Sequence, residues 1–352
     1  MSTPKYKILS IDGGGIRGII PCSILKYIEE QTGSAISSLF NLIAGTSTGG
    51  IISLGLTKHE GNFQNSFSAD QMLELYVNFG KDIFSERDKD LLSWLSSKLF
   101  SKTYDSSHIE SLLERYFGEA KLKDSLANVL VTTYDIEKGK PFYFSSRLAQ
   151  NETRENFTLK EIARSTSAAP TYFKPSFLKY EKERDLAFVD GGVFANNPSI
   201  LAYSEAKEVW KQKLVASPGL AEHENRGFEA MVSADDNDLP FYLLSLGTGF
   251  TANTIKGEEV KNYRNKDWFE PLMTNVFMRS VAESTDYTMK HLLPPYVDGT
   301  PRYQRLDFQI PSEISQMDDA SEKNINNLVR VAEKFVKENV KRLDEICAII
   351  TK

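Results

Sequence analysis

Four short apolar runs that each stop at a glycine set the frame for this chain. Tyr6–Ile11 runs into Asp12-Gly13, Leu39–Ala44 into Gly45, Leu186–Val189 into Asp190-Gly191, and Phe241–Leu246 into Gly247. Asn128–Thr133, Phe142–Phe144 and Tyr303–Phe308 read as further strands. Many are apolar at consecutive rather than alternate positions, which suits strands covered on both faces in a parallel sheet. Helical periodicity separates them, at Pro21–Gln31, Gly49–Leu56, Ala69–Phe79, Ser107–Phe117, Leu159–Ser167, Pro198–Lys213, Pro271–His291 and Ser321–Ile350. Asp70 and Ser107 stand where helix N-caps are expected, and Pro198 suits a first turn. The expected fold is α/β with a mostly parallel central sheet. Open sheets of this kind place their sites at the carboxyl ends of strands, so the four glycine turns mark the expected functional edge.

The 352 residues allow one large domain or two smaller ones. The polar stretches Val215–Pro240 and Thr251–Asp267 are both followed by strand-like or helical segments, so neither reads as a domain linker. One domain over residues 1–352 is expected, with a motif-bearing core at about 6–250 and a helical part at about 270–350. A net charge of −6 argues against nucleic acid as the main partner. Cys22 and Cys347 form no metal-ligand cluster and read as buried free thiols of a reducing compartment. No apolar run approaches the length of a membrane span, and no apolar leader precedes the first strand. A soluble, cytoplasmic protein is expected.

Three turns could carry chemistry. Asp12-Gly13-Gly14-Gly15-Ile16-Arg17-Gly18 lies between a strand and a helix, where glycines turn the backbone tightly and present N–H groups to an anion. Gly13, Gly15 and Gly18 also satisfy a dinucleotide-binding spacing, but the next strand ends in Gly45-Thr46-Ser47 with no acidic residue for a ribose. That disfavours an oxidoreductase, and no Gly-Lys-Ser/Thr follows to make a P-loop. The second turn, Gly45-Thr46-Ser47-Thr48-Gly49, is G-x-S-x-G directly after a strand and directly before a helix, the context of a nucleophile elbow. Of His59, His108, His223 and His291, none ends a strand at the glycine-marked edge. Asp190, before Gly191 and Gly192, is the alternative base, and a water-poor pocket would raise its pKa toward a useful range. An ordinary turn without chemistry is the competing reading for each.

Taken together, the turns resemble the patatin-like phospholipase family, whose pattern is D-G-G-G-x-R-G, then G-x-S-x-G, then D-G-[GA]. Asp12–Gly18, Gly45–Gly49 and Asp190–Gly192 match it in order, and Ser167–Phe173 and Asn196-Asn197-Pro198 look like family segments as well. The resemblance implies a three-layer α/β/α fold and a Ser-Asp dyad lipid acyl hydrolase. Ser47 would be the nucleophile, Asp190 the base, and the N–H groups of Gly13, Gly14 and Gly15 the oxyanion hole. Gly18, Gly45, Gly49, Gly191 and Gly192 would support these turns. Arg17 has two roles open to it, bracing the loop or meeting a phosphate, of which bracing is favoured. No metal or cofactor is implied. The implied partner is a lipid or phospholipid, met at a membrane surface by peripheral contact. Some bacterial relatives are regulated effectors switched on by a nucleotide or partner, which is the alternative to a constitutive enzyme. The apolar segment Leu91–Phe100 reads as a core-packed helix, or else as a lid or interfacial element.

Overall fold

The computed structural model describes residues 4–59, 67–83, 104–179, 185–216, 240–251, 258, 261 and 278–352. Segment 91–100, His223, most of both polar loops and the first residues of the helix expected from Pro271 lie outside them. Eight strands form one sheet among the described residues: β1 (Tyr6–Ile11), β2 (Leu42–Thr46), β3 (Asn128–Asp135), β4 (Lys140–Ser145), β5 (Ser176–Lys179), β6 (Asp185–Asp190), β7 (Phe241–Leu246) and β8 (Tyr303–Leu306). Their order is β5-β6-β3-β2-β1-β7-β8, with β4 also paired to β3. The stretch from β3 to β8 along this order is parallel throughout. β4, β5 and β6 form an antiparallel wing at one end.

Among the described residues nine helices frame the sheet: α1 (Ile19–Thr32), α2 (Thr48–Thr57), α3 (Ala69–Ile83), α4 (Ser106–Phe117), α5 (Leu159–Thr166), α6 (Ser199–Ala216), α7 (Arg279–Leu292), α8 (Glu322–Glu338) and α9 (Val340–Ile350), besides shorter turns of helix. Successive strand residues point to opposite faces and so feed two cores. Leu9, Ile11, Ile43, Val131 and Leu244 pack with α1, α3, α5, α8 and α9. Ile8, Leu42, Leu130 and Leu243 pack with Ala202, Ala206 and Trp210 of α6 and Met289 of α7. The result is the expected three layers, α/β/α.

Local chemistry explains most helix ends. α1 stops at Gly33, whose φ of 63° is left-handed and whose N–H returns to the Glu29 carbonyl. α5 opens with a capping box between Thr158 and Glu161. Two expected caps move: Asp105, not Ser107, caps α4 by accepting from the Ser107 N–H, and Asp70 lies inside α3 and pairs with Lys26. Ser68 and Gln71 exchange side-chain hydrogen bonds at that entry instead. The strand expected at Leu39–Ala44 begins at Leu42, because Ile36–Leu39 forms a turn of helix. The helix expected over Ser321–Ile350 is two, broken where the Asn339 side-chain amide donates to the Phe335 carbonyl.

Candidate active site

The glycine-rich loop leaves β1 at the centre of the sheet. Asp12 donates its N–H to Leu246 O at 2.9 Å, and Gly13 donates to Asn196 O at 3.1 Å. The Gly13 amide, one of the three expected donors, is thus engaged in holding the loop. Gly14 and Gly15, by contrast, have N–H groups without an acceptor among the described residues, while Ile16 donates to Met317 O at 2.9 Å. Gly15 has a φ of 59°, and a Cβ there would strike the Met317 carbonyl; one on Gly14 would strike Thr248. The tight loop therefore excludes side chains at both open donors.

Below the loop lies a buried ion pair that local sequence reading missed. Asp12 is only 2% exposed. Arg305 of β8 holds it in bidentate fashion, Nη2 to Oδ2 at 2.6 Å and Nη1 to Oδ1 at 3.2 Å, and also reaches Asp307 at 2.9 Å. The only signal was an Arg and an Asp two residues apart at an otherwise strand-like segment. Arg17 braces the same loop from the other side, donating to Gly14 O at 3.4 Å and Gly249 O at 3.3 Å. Its favoured role at the sequence level was bracing, and these bonds serve it.

Ser47 sits on the turn between β2 and α2 at φ 54° and ψ −122°. A non-glycine residue held there costs on the order of 1–3 kcal/mol, which the surroundings must over-determine. They do so by close packing. A Cβ on Gly45 would meet the Gly49 backbone, and one on Gly49 would meet the Ile11 carbonyl. The Ser47 N–H donates to Thr166 Oγ1 at 2.8 Å, and that hydroxyl donates to Thr132 O at 2.8 Å. Thr166 thereby ties the elbow to β3. All of α2 behind the serine is buried, and its N-terminus favours negative charge near the hydroxyl.

Asp190 reaches the serine by a route the parallel-sheet argument did not contain. β6 runs antiparallel to β3, with Asp190 opposite Thr133. β2 runs parallel to β3 and stops with Thr46 opposite Thr132. β4 pairs with β3 at both Thr132 and Thr133, so β2 and β6 must share the other flank. They run toward each other along β3 and their ends meet, one residue apart in register. Asp190 thus reaches the expected edge, but from beyond it.

At this junction the Ser47 hydroxyl lies near enough to the Asp190 carboxylate to favour its charged form. The Gly192 N–H donates to Asp190 Oδ1, at 2.7 Å. Asp190 is 5% exposed. Burial pushes its carboxyl up to about 6, against the pull of the nearby serine hydroxyl and the Gly192 N–H. Gly191 is required by closeness, since a Cβ would strike Thr132 Oγ1. Among the described residues no histidine perturbs Asp190. His291 instead contacts Tyr287 O at 2.8 Å.

A cavity of about 900 Å³ opens beside the glycine loop, with Asp12, Arg17, Asn196 and Arg305 on one side and Met278 and Arg279 on the other. Among the described residues, no group of three or more His, Cys, Asp or Glu is arranged to hold a metal. The arrangement offers a hydroxyl beside a buried carboxylate, and two open N–H groups on a neighbouring turn.

The family model for patatin-like phospholipase matches residues 9–203, which carry all three turns. The chain belongs to the patatin-like phospholipase family. Patatin-like protein 3 of Arabidopsis thaliana is 30% identical over 364 residues, covering 96% of this chain and 82% of its own length. Patatin-like protein 2 of Oryza sativa subsp. japonica is 29% identical over 361 residues, covering 96% and 85%. Patatin-17 of Solanum cardiophyllum is 28% identical over 351 residues, covering 95% and 84%. Membership of this phospholipase family gives the chain lipid acyl hydrolase chemistry in general. No described helix is long and apolar enough to cross a membrane.

Proposed function

We propose that the protein cleaves fatty acyl esters of phospholipids or lysophospholipids at a membrane surface, through a Ser47–Asp190 dyad and an acyl-enzyme. The observation that carries this reading is the head-on meeting of β2 and β6, which brings the Ser47 turn to the buried Asp190 carboxylate. Ser47 Oγ attacks the ester carbonyl carbon while its proton passes to Asp190. The resulting oxyanion is held by the Gly14 and Gly15 N–H groups. Collapse of the tetrahedral intermediate breaks the ester C–O bond, and the departing alcohol takes the proton from Asp190. Water then gives a proton to Asp190 and attacks the acyl carbon; the acyl C–Oγ bond breaks, Ser47 Oγ takes that proton back, and the fatty acid is released. The scheme calls on no histidine, metal or cofactor. A carboxyl near 6 is a better base than one at the ordinary value, and it is ionised at neutral pH.

Labelling with an alkyl fluorophosphonate, followed by peptide mass spectrometry, tests the assignment. The adduct is expected on Ser47. Ser47→Ala should abolish both labelling and hydrolysis of an activated ester while leaving Tm within a few degrees. An adduct on another residue, or a Ser47→Ala protein that keeps a large part of its turnover, would overturn the dyad.

A further inference from the structure

We infer that the outer face of the antiparallel wing is the surface by which this protein lies on an anionic phospholipid bilayer, an inference that rests on the lipid-hydrolase reading. Strand register puts Tyr134, Ile136, Tyr143, Phe177 and Val189 on one face of β3, β4, β5 and β6. On the opposite face of the same strands, Phe142, Phe144 and Phe188 pack together as core, with ring centres 5.0 to 5.5 Å apart. Among the described residues the outer face has no such aromatic cluster over it. Phe177 is 68% exposed, Ile136 47% and Tyr143 36%. Further down β3 on this same face, Leu130 is buried in the core that α6 and α7 complete. That cover ends at the short helix Gly192–Ala195, whose Phe194 contacts the rings of Tyr134 and Tyr143.

Three points choose lipid as the occupant. Position is the first. Ile136 and the Phe177–Ala187 pair each lie three residues beyond the Asp190–Thr133 pair, or roughly 10 Å beyond the edge where the serine stands. The apolar face therefore projects past the sheet edge at which the serine stands. Continuity is the second, because Phe194 belongs to the turn that follows Asp190 directly and so links the patch to the site. Charge is the third. Lys179 shares the outward side of β5 with Phe177, and the β3–β4 turn at the rim of the patch carries exposed Lys138 beside exposed Glu137, whereas Lys140, paired with Asp135, lies on the opposite face. In a chain of net charge −6, Lys179 and Lys138 around tyrosines and aliphatic side chains suit headgroup phosphates above and acyl chains below.

The test uses the full chain carrying Ser47→Ala, so that binding is read without hydrolysis, and sedimentation with vesicles of equal parts phosphatidylglycerol and phosphatidylcholine. Adding Ile136→Ser and Phe177→Ser should weaken vesicle binding by about tenfold or more, the loss expected for two exposed apolar side chains. In the Ser47 background the same pair should leave turnover of a soluble short-chain ester unchanged and depress hydrolysis of vesicle lipid. Lys179→Glu should weaken binding to the anionic vesicles and not to pure phosphatidylcholine. Undiminished binding by the apolar double variant, or no vesicle binding by the parent, would overturn the proposal. So would a self-association that the apolar double variant disperses, which would make a second copy the occupant. Because binding is measured without turnover, failure of the dyad assignment leaves this result readable.

Discussion

Every residue of β2 and β7 is buried, whereas β5 buries Ser176 and Leu178 and exposes Phe177 and Lys179. These are two ways of making a strand in one sheet. In the parallel half both faces are covered, so a strand has only its end left with which to act. The glycine donors and Ser47 are such ends. The antiparallel wing keeps one face free, and its strand direction lets it bring a carboxylate back toward the serine. The parallel half supplies a tightly packed elbow and two open N–H groups, and the wing supplies the Asp190 carboxylate and an exposed apolar surface. Damage to the first should appear in stability or in transition-state binding. Damage to the second should appear in proton transfer and in contact with lipid.

The largest break in this division is expected at Arg305. Arg305→Met would leave the buried Asp12 carboxylate without its partner, and removing one member of a buried pair costs about 3–5 kcal/mol. Urea unfolding followed by tryptophan fluorescence should register that loss. A change below about 1 kcal/mol would mean that the glycine loop is not anchored through β8. Residues 303–306 would then be an accessory to the fold instead of part of one folding unit with residues 6–250, which we propose they are.

Gly14→Ala probes the same half through rate. A Cβ there meets Thr248 and disturbs the donor turn. Loss of one oxyanion donor costs on the order of 3–4 kcal/mol of transition-state stabilisation. Steady-state kinetics on a soluble ester should place the loss in kcat. An effect confined to KM would remove the loop from the reaction.

The smallest effect sharpens the wing's side of the comparison. Asp190 titrates near 6 in the folded protein because of burial, so kcat/KM should rise with pH through that value and level off above it. The linkage has the opposite sign. A carboxyl raised by folding favours the folded state fully below its unfolded pKa, and that favour is lost as pH rises through about 6. Asp190→Asn should therefore destroy activity yet stabilise the protein by on the order of 2 kcal/mol at pH 8, relative to acid conditions. Thermal unfolding at pH 4 and pH 8 tests this. An Asn variant that is no more stable at pH 8 would mean that Asp190 is not held at a desolvation cost.

What could be read from sequence follows the same division. The parallel strands are local apolar runs, and β1 and β7 were anticipated to the residue. Ser47 and its flanking glycines form a local pattern whose strain and packing follow from adjacent positions. The direction of β6 is another matter, because Leu186–Val189 reads alike in either orientation and only pairing with β3 decides it. β5 is too short, at four residues, to separate its alternation from a loop. The Gly13 amide could not be discounted without knowing that the Asn196 carbonyl lies opposite. Arg305 is opaque for a related reason: its partner Asp12 lies at the other end of the chain. The break at Asn339 is hidden because the apolar stripe continues through it, and only the side-chain bond to Phe335 reveals the interruption.

The head-on meeting of β2 and β6 also carries a kinetic meaning. Ser47 and Asp190 are distant in the chain and touch only when both strands have docked on β3. A partly folded molecule with an intact parallel half would own a strained serine and no base. Regain of ester hydrolysis during refolding should therefore lag behind burial of the central strands, and time the arrival of the wing.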